Sequence, residues 1–312
     1  MANQQYVIET KDLTKAYGNF VAVDKLNLNI GEGEIFGFLG PNGAGKTTTI
    51  LMLLGLTEPT SGSANVCGYN PTREPLKVKR IVGYLPEKVG FYEDLTARQN
   101  LDYTASLNRI PWHQIDDKID EVLAAVGLSD VANKEVGQFS HGMKQRLGIA
   151  DVMIKDPQIV FFDEPTSGID PKGTDEILHL IAGMAKRKIT AIISSHQLHH
   201  IQKISTQIGI MSKGKLVVQG PIDLLGREAS ASGKFQIEAQ ASPITDKLLE
   251  VLQKIKGVIS ITQNNDVLLI TCEKDLRSQI SKAIVEQDSM LTGIKIEEFG
   301  LEEIYLKYFR ES

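Results

Sequence analysis

The sharpest chemical signal in the chain is the run GPNGAGKT at positions 40–47. Gly40, Gly43 and Gly45 let successive backbone N–H groups turn inward around a row of phosphates. Lys46 would bridge the β- and γ-phosphates, and Thr47 would put its hydroxyl on Mg2+. Pro41, Asn42, Ala44 and Thr48 complete the nucleotide-binding set. A strand-like stretch at 34–39 leads in and the helix-like TTTILMLLGL leads out, so a helix dipole adds to the anion site. That setting separates a phosphate-binding P-loop from a Gly-rich turn that binds nothing.

A second cluster supplies carboxylates. IVFFDEP, ending at Pro165, reads as a buried strand delivering two adjacent acids, the form of a Walker B motif. Asp163 would hold Mg2+ through water, while Glu164 faces the γ-phosphate and orients or deprotonates the attacking water. A surface turn could also read Asp-Glu-Pro, but it would rarely follow four apolar residues.

FSHGMKQRLGIA, at 139–150, lies directly upstream of that strand, and SSHQL places His196 at the end of the next one. With the P-loop, TSGID at 166–170 and GYLPE at 83–87, the order and spacing make residues 6 to about 226 resemble the ATP-binding cassette family of ATPases. The resemblance implies ATP and Mg2+ as cofactors and hydrolysis as the reaction, with Lys46, Glu164 and His196 as the catalytic set. His196 corresponds to the switch histidine that contacts the γ-phosphate; the bland alternative is a polar histidine near a strand end. Tyr17, in LTKAYGNF, falls where the family stacks an aromatic on adenine, against a plain strand-end core tyrosine. Ser140, His141, Gly142 and Met143 correspond to the signature motif, which in this family reaches the γ-phosphate of ATP held by the opposite subunit. Ser140 would cap the helix behind it and aim its N–H groups at that phosphate. Asp170, with Ser167, Gly168 and Ile169, corresponds to a loop that contacts the other subunit. Hydrolysis then implies two cassettes, head to tail: a second copy of the chain or a paralogous ATPase.

Two residues depart from the family pattern. The signature usually reads Ser-Gly-Gly-Gln, and here His141 and Met143 replace its second and fourth members while Gly142 stays. This form, followed by KQR, resembles exporter ATPases of the bacitracin, sodium and polysaccharide or drug efflux branch. Glu87 stands where the family often has Gln; a carboxylate there still suits Mg2+, so the implied metal set is Thr47, Glu87 and Asp163.

The elements that must position these residues follow from periodicity. YVIETKDLTKAY and FVAVDKLNLNI alternate apolar and polar residues around a Gly18-Asn19 turn, which predicts antiparallel strands forming a β-layer over the nucleotide. Strands are expected at 63–68 and 81–85, and a helical subdomain at about 89–155. QIVFFD, ITAIISS, TQIGIMS and KLVVQG then read as strands, interleaved with the helices PKGTDEILHLIAGMAKR and QLHHIQKI. Continuous apolar strands alternating with helices predict a buried, mainly parallel sheet. The fold class is therefore α/β, a P-loop NTPase with an antiparallel β-layer and a helical subdomain. REASASGK, at 227–234, reads as a linker between a nucleotide-binding domain at 1–226 and a small α+β domain at 235–312. The latter's βαββαβ order is ferredoxin-like. A closing helix puts Leu301, Ile304, Tyr305, Tyr308 and Phe309 on one face, expected to pack on its own domain.

A net charge of −5 argues against a dominant nucleic-acid surface, so no nucleic-acid partner is expected. No apolar run approaches the ~18 residues of a membrane span, and the start MANQQYVIET lacks a signal-peptide core, so a cytosolic chain is expected. Cys67 and Cys272 lie far apart and read as reduced packing residues. The resemblance implies a transport motor on the cytoplasmic face of the membrane, working through separate transmembrane permease subunits that hold the substrate contacts. Its exporter direction comes from the signature form and from the tail ending in LEEIYLKYF. Phe91, Tyr92 and Leu95 would grip a short helix of such a subunit, or equally form subdomain core. The alternative is a soluble cassette ATPase acting on ribosomes or nucleic acid. Such proteins usually carry two fused cassettes, coiled-coil inserts, zinc modules or a basic surface, and the sequence shows none of these. A nucleotide sensor without turnover is disfavoured by intact Lys46, Asp163, Glu164 and His196.

Overall fold

The computed structural model describes residues 6–229, 235–296 and 305. The chain divides into two compact units, Met1–Gly220 and Pro221–Ser312.

The first unit opens with β1 (Tyr6–Tyr17), β2 (Phe20–Leu26) and β3 (Asn29–Gly31). Both later strands pair antiparallel with β1, so FVAVDKLNLNI is two short strands rather than one. The buried Thr10 hydroxyl bridges the break, donating to the Leu26 carbonyl at 2.9 Å and accepting from Leu28 N–H at 2.8 Å. There follow β4 (Ile35–Leu39), α1 (Lys46–Leu53), β5 (Ser61–Val66), α2 (Pro75–Ile81) and β6 (Val82–Leu85). β5 completes the antiparallel layer on β1. The helical insertion holds α3 (Ala97–Leu107), α4 (Trp112–Ala125) and α5 (His141–Met153). Its entry is fixed by a capping box in which Thr96 and Gln99 exchange hydrogen bonds.

The alternating part resumes as β7 (Ile159–Asp163), α6 (Pro171–Lys186), β8 (Thr190–Ser195), α7 (Leu198–Ile204), β9 (Gln207–Ser212) and β10 (Lys215–Pro221). These strands join β4 and β6 in a six-stranded sheet of order β10-β9-β4-β8-β7-β6. Its interior pairs are parallel. Parallel strands are covered on both faces, which is why IFGFL and IVFFD are buried at every position. Phe36, Phe38, Phe161 and Phe162 are among the largest fully buried side chains.

In the second unit α8 (Ile222–Ala229) precedes β11 (Phe235–Ser242), α9 (Asp246–Gln253), β12 (Val258–Asn264), β13 (Val267–Cys272), α10 (Arg277–Glu286) and β14 (Met290–Ile296). The sheet order β12-β13-β11-β14, antiparallel throughout, is the split βαβ arrangement that the element order predicts. Ile237, Leu248, Leu268, Ile270, Ile280 and Ile284 form its core.

One boundary needs correction and one helix goes beyond the sequence reading. The units part after Gly220 rather than after Gly226, and residues 227–229 of the expected linker continue α8, while 230–234 lie outside the described residues. α2 was not anticipated, because only Val78 of PLKVKRI is buried and so short a helix shows no periodic face. The closing helix lies outside the described residues apart from the half-buried Tyr305.

β4 can lie where it does because residue 37 is glycine. A Cβ there would meet Ile201 Cγ2 of α7 at 2.2 Å and Ile208 Cγ2 of β9 at 3.1 Å. Gly37→Ala is therefore expected to destabilise the first unit by about 1–3 kcal/mol. A denaturation midpoint equal to the parent's would refute this.

Candidate nucleotide site

The P-loop joins the end of β4 to α1. Gly45 sits at the helix N-cap with φ 103°, and a Cβ on it would meet the Ala22 carbonyl oxygen at 2.5 Å. Gly40, at φ 152°, leaves only 2.5 Å between a would-be Cβ and the Met211 carbonyl oxygen. Both glycines are thus fixed by close backbone approach from β2 and β9. Lys46 Nζ lies across the loop, donating to the Gly40 carbonyl at 2.7 Å and the Pro41 carbonyl at 3.3 Å. Burial pushes its pKa below the usual lysine value, against the opposing pull of Glu164 and Asp163.

The carboxylates come from the end of β7. Thr47 Oγ1 donates to Asp163 Oδ2 at 2.9 Å, and the Ser194 hydroxyl donates to Asp163 Oδ1. Glu164 follows at φ 49°, a left-handed conformation uncommon for a side chain of its size. Its N–H is held by the Ser194 carbonyl at 3.1 Å. Both Glu164 carboxylate oxygens are buried and accept no aligned hydrogen bond from the protein. His196 Nδ1, at the end of β8, nevertheless stands 3.0 Å from Glu164 Oε1, an ion-pair distance without hydrogen-bond alignment. Tyr84 of β6 borders this charge: burial, with Asp163 adding, pushes its hydroxyl up to about 12.

One cleft of about 210 Å³ gathers Pro41, Asn42, Gly43, Ala44, Gly45, Lys46, Thr47, Thr48, Glu87, Asp163 and Glu164. Sequence reasoning missed two further lining residues, Phe20 and Ala22. Phe20 is the cross-strand partner of Tyr17, and partners across a strand pair share a face, so Tyr17 stands beside Phe20 at the same hairpin end. Tyr17 itself does not line the cleft; it is 51% exposed with Lys15 Nζ 4.9 Å over its ring. A search for aromatics directly flanking the Gly18-Asn19 turn would have found Phe20.

Residues 140–143 are not among those lining this cleft. Ser140 caps α5, its hydroxyl accepting from Met143 N–H at 3.2 Å. His141 Nε2 lies 3.1 Å from the Ser167 carbonyl oxygen, which ties the signature to the loop after β7. Asp170 caps α6 by accepting from Gly173 N–H at 2.9 Å. Both cysteines are free, and burial raises the Cys272 thiol to about 11.

Ser194→Ala would leave a buried Asp163 oxygen without its donor, at a cost expected near 1–3 kcal/mol. Thermal unfolding at parent temperature would contradict that. Tyr17→Ala and Phe20→Ala are each expected to weaken ATP binding by about 1–3 kcal/mol, the worth of a base–aromatic stack. Titration with a fluorescent ATP analogue measures both; unchanged affinity for Phe20→Ala would remove it from the base platform.

A family model described as "ABC transporter" matches residues 23–167. The chain is 40% identical over 303 residues to the bacitracin transport ATP-binding protein of Bacillus licheniformis, covering 96% of each. It is 30% identical over 306 residues to the linearmycin resistance ATP-binding protein of Bacillus subtilis, covering 96% of this chain and 97% of that one. Among solved structures it is similar to cbiO1 of Clostridium perfringens, part of an ABC transporter complex, with TM-score 0.64 and 26% identity over 70% of this chain and 89% of that one. Agreement over nearly the whole length, with the P-loop and its carboxylates assembled in one cleft, has a single reading: the chain belongs to the ATP-binding cassette (ABC) transporter family, as an ATP-binding subunit that hydrolyses ATP.

Proposed function

We propose that two such chains, or one and a paralogue, close head to tail on ATP and drive export through separate membrane subunits. The carrying observation is Glu164: a carboxylate 11% exposed that lines the cleft, with neither oxygen accepting an aligned hydrogen bond from the protein and His196 beside it. An acid so placed can accept a proton from a water attacking the γ-phosphate, with His196 close enough to contact the same phosphate. Lys46 holds phosphate oxygens, and the α1 N–H groups complete the cradle. Residues 140–143 lie off this cleft, which supports their serving nucleotide on an opposing subunit. The proposed site for Mg2+ is Thr47, Asp163 and Glu87, all hard oxygen donors on the one cleft. No group of three His, Cys, Asp or Glu side chains among the described residues could hold a metal unaided, so phosphate and water oxygens must complete the shell. When bound, the ion would supply charge neutralisation at the phosphates.

Export, rather than import, is supported by the relatives named for bacitracin transport and linearmycin resistance. No helix among the described residues is long and apolar enough to cross a membrane, and in this reading the chain docks on a permease at the cytoplasmic face. Tyr92, 57% exposed, packs edge-on against Tyr103 of α3 at 5.4 Å, and Leu56 is exposed nearby in sequence to α1. Phe91 and Leu95 are half-buried, so Tyr92 with Tyr103 is the better anchor for a partner helix.

Glu164→Gln is expected to keep ATP binding while turnover falls about 10²–10⁴-fold. With ATP bound it should accumulate as a dimer in size-exclusion chromatography. Turnover at the parent rate would take the base role from Glu164, and a monomer under saturating ATP would refute head-to-tail closure.

A further inference from the structure

Away from the nucleotide, α2 and the turn between α3 and α4 border a cavity of about 620 Å³. Arg80, Arg109, Lys118 and Lys155 line it against one carboxylate, Asp156, in a chain whose net charge is −5. Asp156 is committed to Lys118 at 2.6 Å, and Lys155 Nζ donates to the Lys79 carbonyl at 2.8 Å. Arg80 and Arg109 are exposed, and among the described residues neither side chain has an ion-pair or hydrogen-bond partner. Of the α4 acids nearest this face, Asp116 and Asp120 are drawn to Arg98, while Asp117 stays exposed and unpaired.

Three large exposed apolar side chains stand close along the chain to lining residues. Leu76, one turn before Arg80 on α2, is 71% exposed; Leu107, two residues before Arg109, is 66% exposed; Trp112, directly after Pro111, is 85% exposed. None of the three lines the cavity itself. An acidic protein segment entering the cavity would satisfy the guanidiniums but leave these apolar groups in water. A charged, flat surface would engage cations and apolar groups together. Guanidiniums take phosphodiester oxygens, an indole sits at headgroup level and leucines reach the acyl boundary.

We propose that this face binds the headgroups of anionic phospholipids, so that the chain touches the bilayer directly. The cavity shares Asn108 and Lys155 with the adjoining cleft that holds Leu56, Tyr84 and Thr104. Thr104 directly follows Tyr103, part of the surface assigned above to the membrane subunit; that supporting argument rests on the transport reading, whereas the charge and the exposed indole do not.

Trp112 is the chain's single tryptophan and reports its own environment. The purified full chain, without any membrane subunit, is titrated with vesicles containing phosphatidylglycerol and with vesicles of phosphatidylcholine alone. The expected result is a blue shift and co-sedimentation with the anionic vesicles only, reversed by raised salt. In the double variant Arg80→Gln, Arg109→Gln, partitioning should fall roughly 30-fold, from about 1 kcal/mol per cation at a charged surface. Equal binding to both vesicle types, no partitioning of the parent chain, or an unweakened double variant would overturn the proposal. Inorganic phosphate shifting the Trp112 signal without vesicle binding would mark a small-anion pocket and overturn it too, as would attachment only when a permease is present. The parent chain decides the matter even if the double variant fails to fold. The cavity shares no lining residue with the nucleotide cleft on which Glu164→Gln dimerisation is read, so failure here leaves the transport reading standing.

Discussion

The carboxylate of Asp163 is the constraint on which the site is built. It is almost entirely buried, and a buried charge persists only where donors replace water. Ser194 on β8 and Thr47 at the start of α1 are those donors, so one carboxylate ties two neighbouring strands to the P-loop helix. Parallel register makes this possible, with Asp163 paired to Ser194 and Phe38 of β4 paired to the same serine on its other side. Three strands therefore end level, and the phosphate loop, the two acids and His196 emerge from one edge of the sheet. The location follows the general rule that open α/β sheets place ligands at the carboxyl ends of their strands.

What the strained elements add is direction. Glu164 adopts a left-handed backbone conformation, of the kind that costs on the order of 1–3 kcal/mol and is kept where surrounding structure over-determines it. Its N–H is locked to Ser194, the residue that also holds Asp163. One serine thus fixes both acids, and the turn that follows leaves the second carboxylate on the cleft with His196 as its neighbour.

Much of this was legible in the sequence because it depends on residue types at fixed local spacing. GPNGAGKT and IVFFDEP announce themselves, and strands covered on both faces read as unbroken apolar runs. The βαββαβ order of the second unit was legible for the same reason: β11 buries alternate residues, Ile237, Ala239 and Ala241. The rest hung on contacts between distant residues. Nothing local in FVAVDKLNLNI says that Thr10 will bridge its middle. The helix over 222–229 was mistaken for linker at its end because small and charged residues such as Glu228 and Ala229 suit either state. The left-handed turn at Glu164 has no signature at all, since glycine or asparagine would be the expected occupant.

The departures in the signature take on meaning through the same geometry. A glycine at position 141 could offer no ring to the Ser167 carbonyl, so the histidine makes a link that the usual motif lacks. On its other side α5 is joined to the segment after Glu87, where Lys144 meets Glu93 at 2.6 Å. That ion pair is exposed and by itself worth little. The backbone carries more of the connection: Val136 N–H donates to the Leu95 carbonyl at 3.0 Å and Gly137 N–H to the Glu93 carbonyl at 2.9 Å. Tyr92 and Leu95 therefore cannot shift as a loop independent of the approach to Ser140. The start of α5 is bonded in turn through His141 to the loop that begins at Glu164. Hydrogen bonds thus run without a break from the Glu93–Leu95 segment, through the approach to α5 and His141, to the loop after Glu164, all within one packed unit.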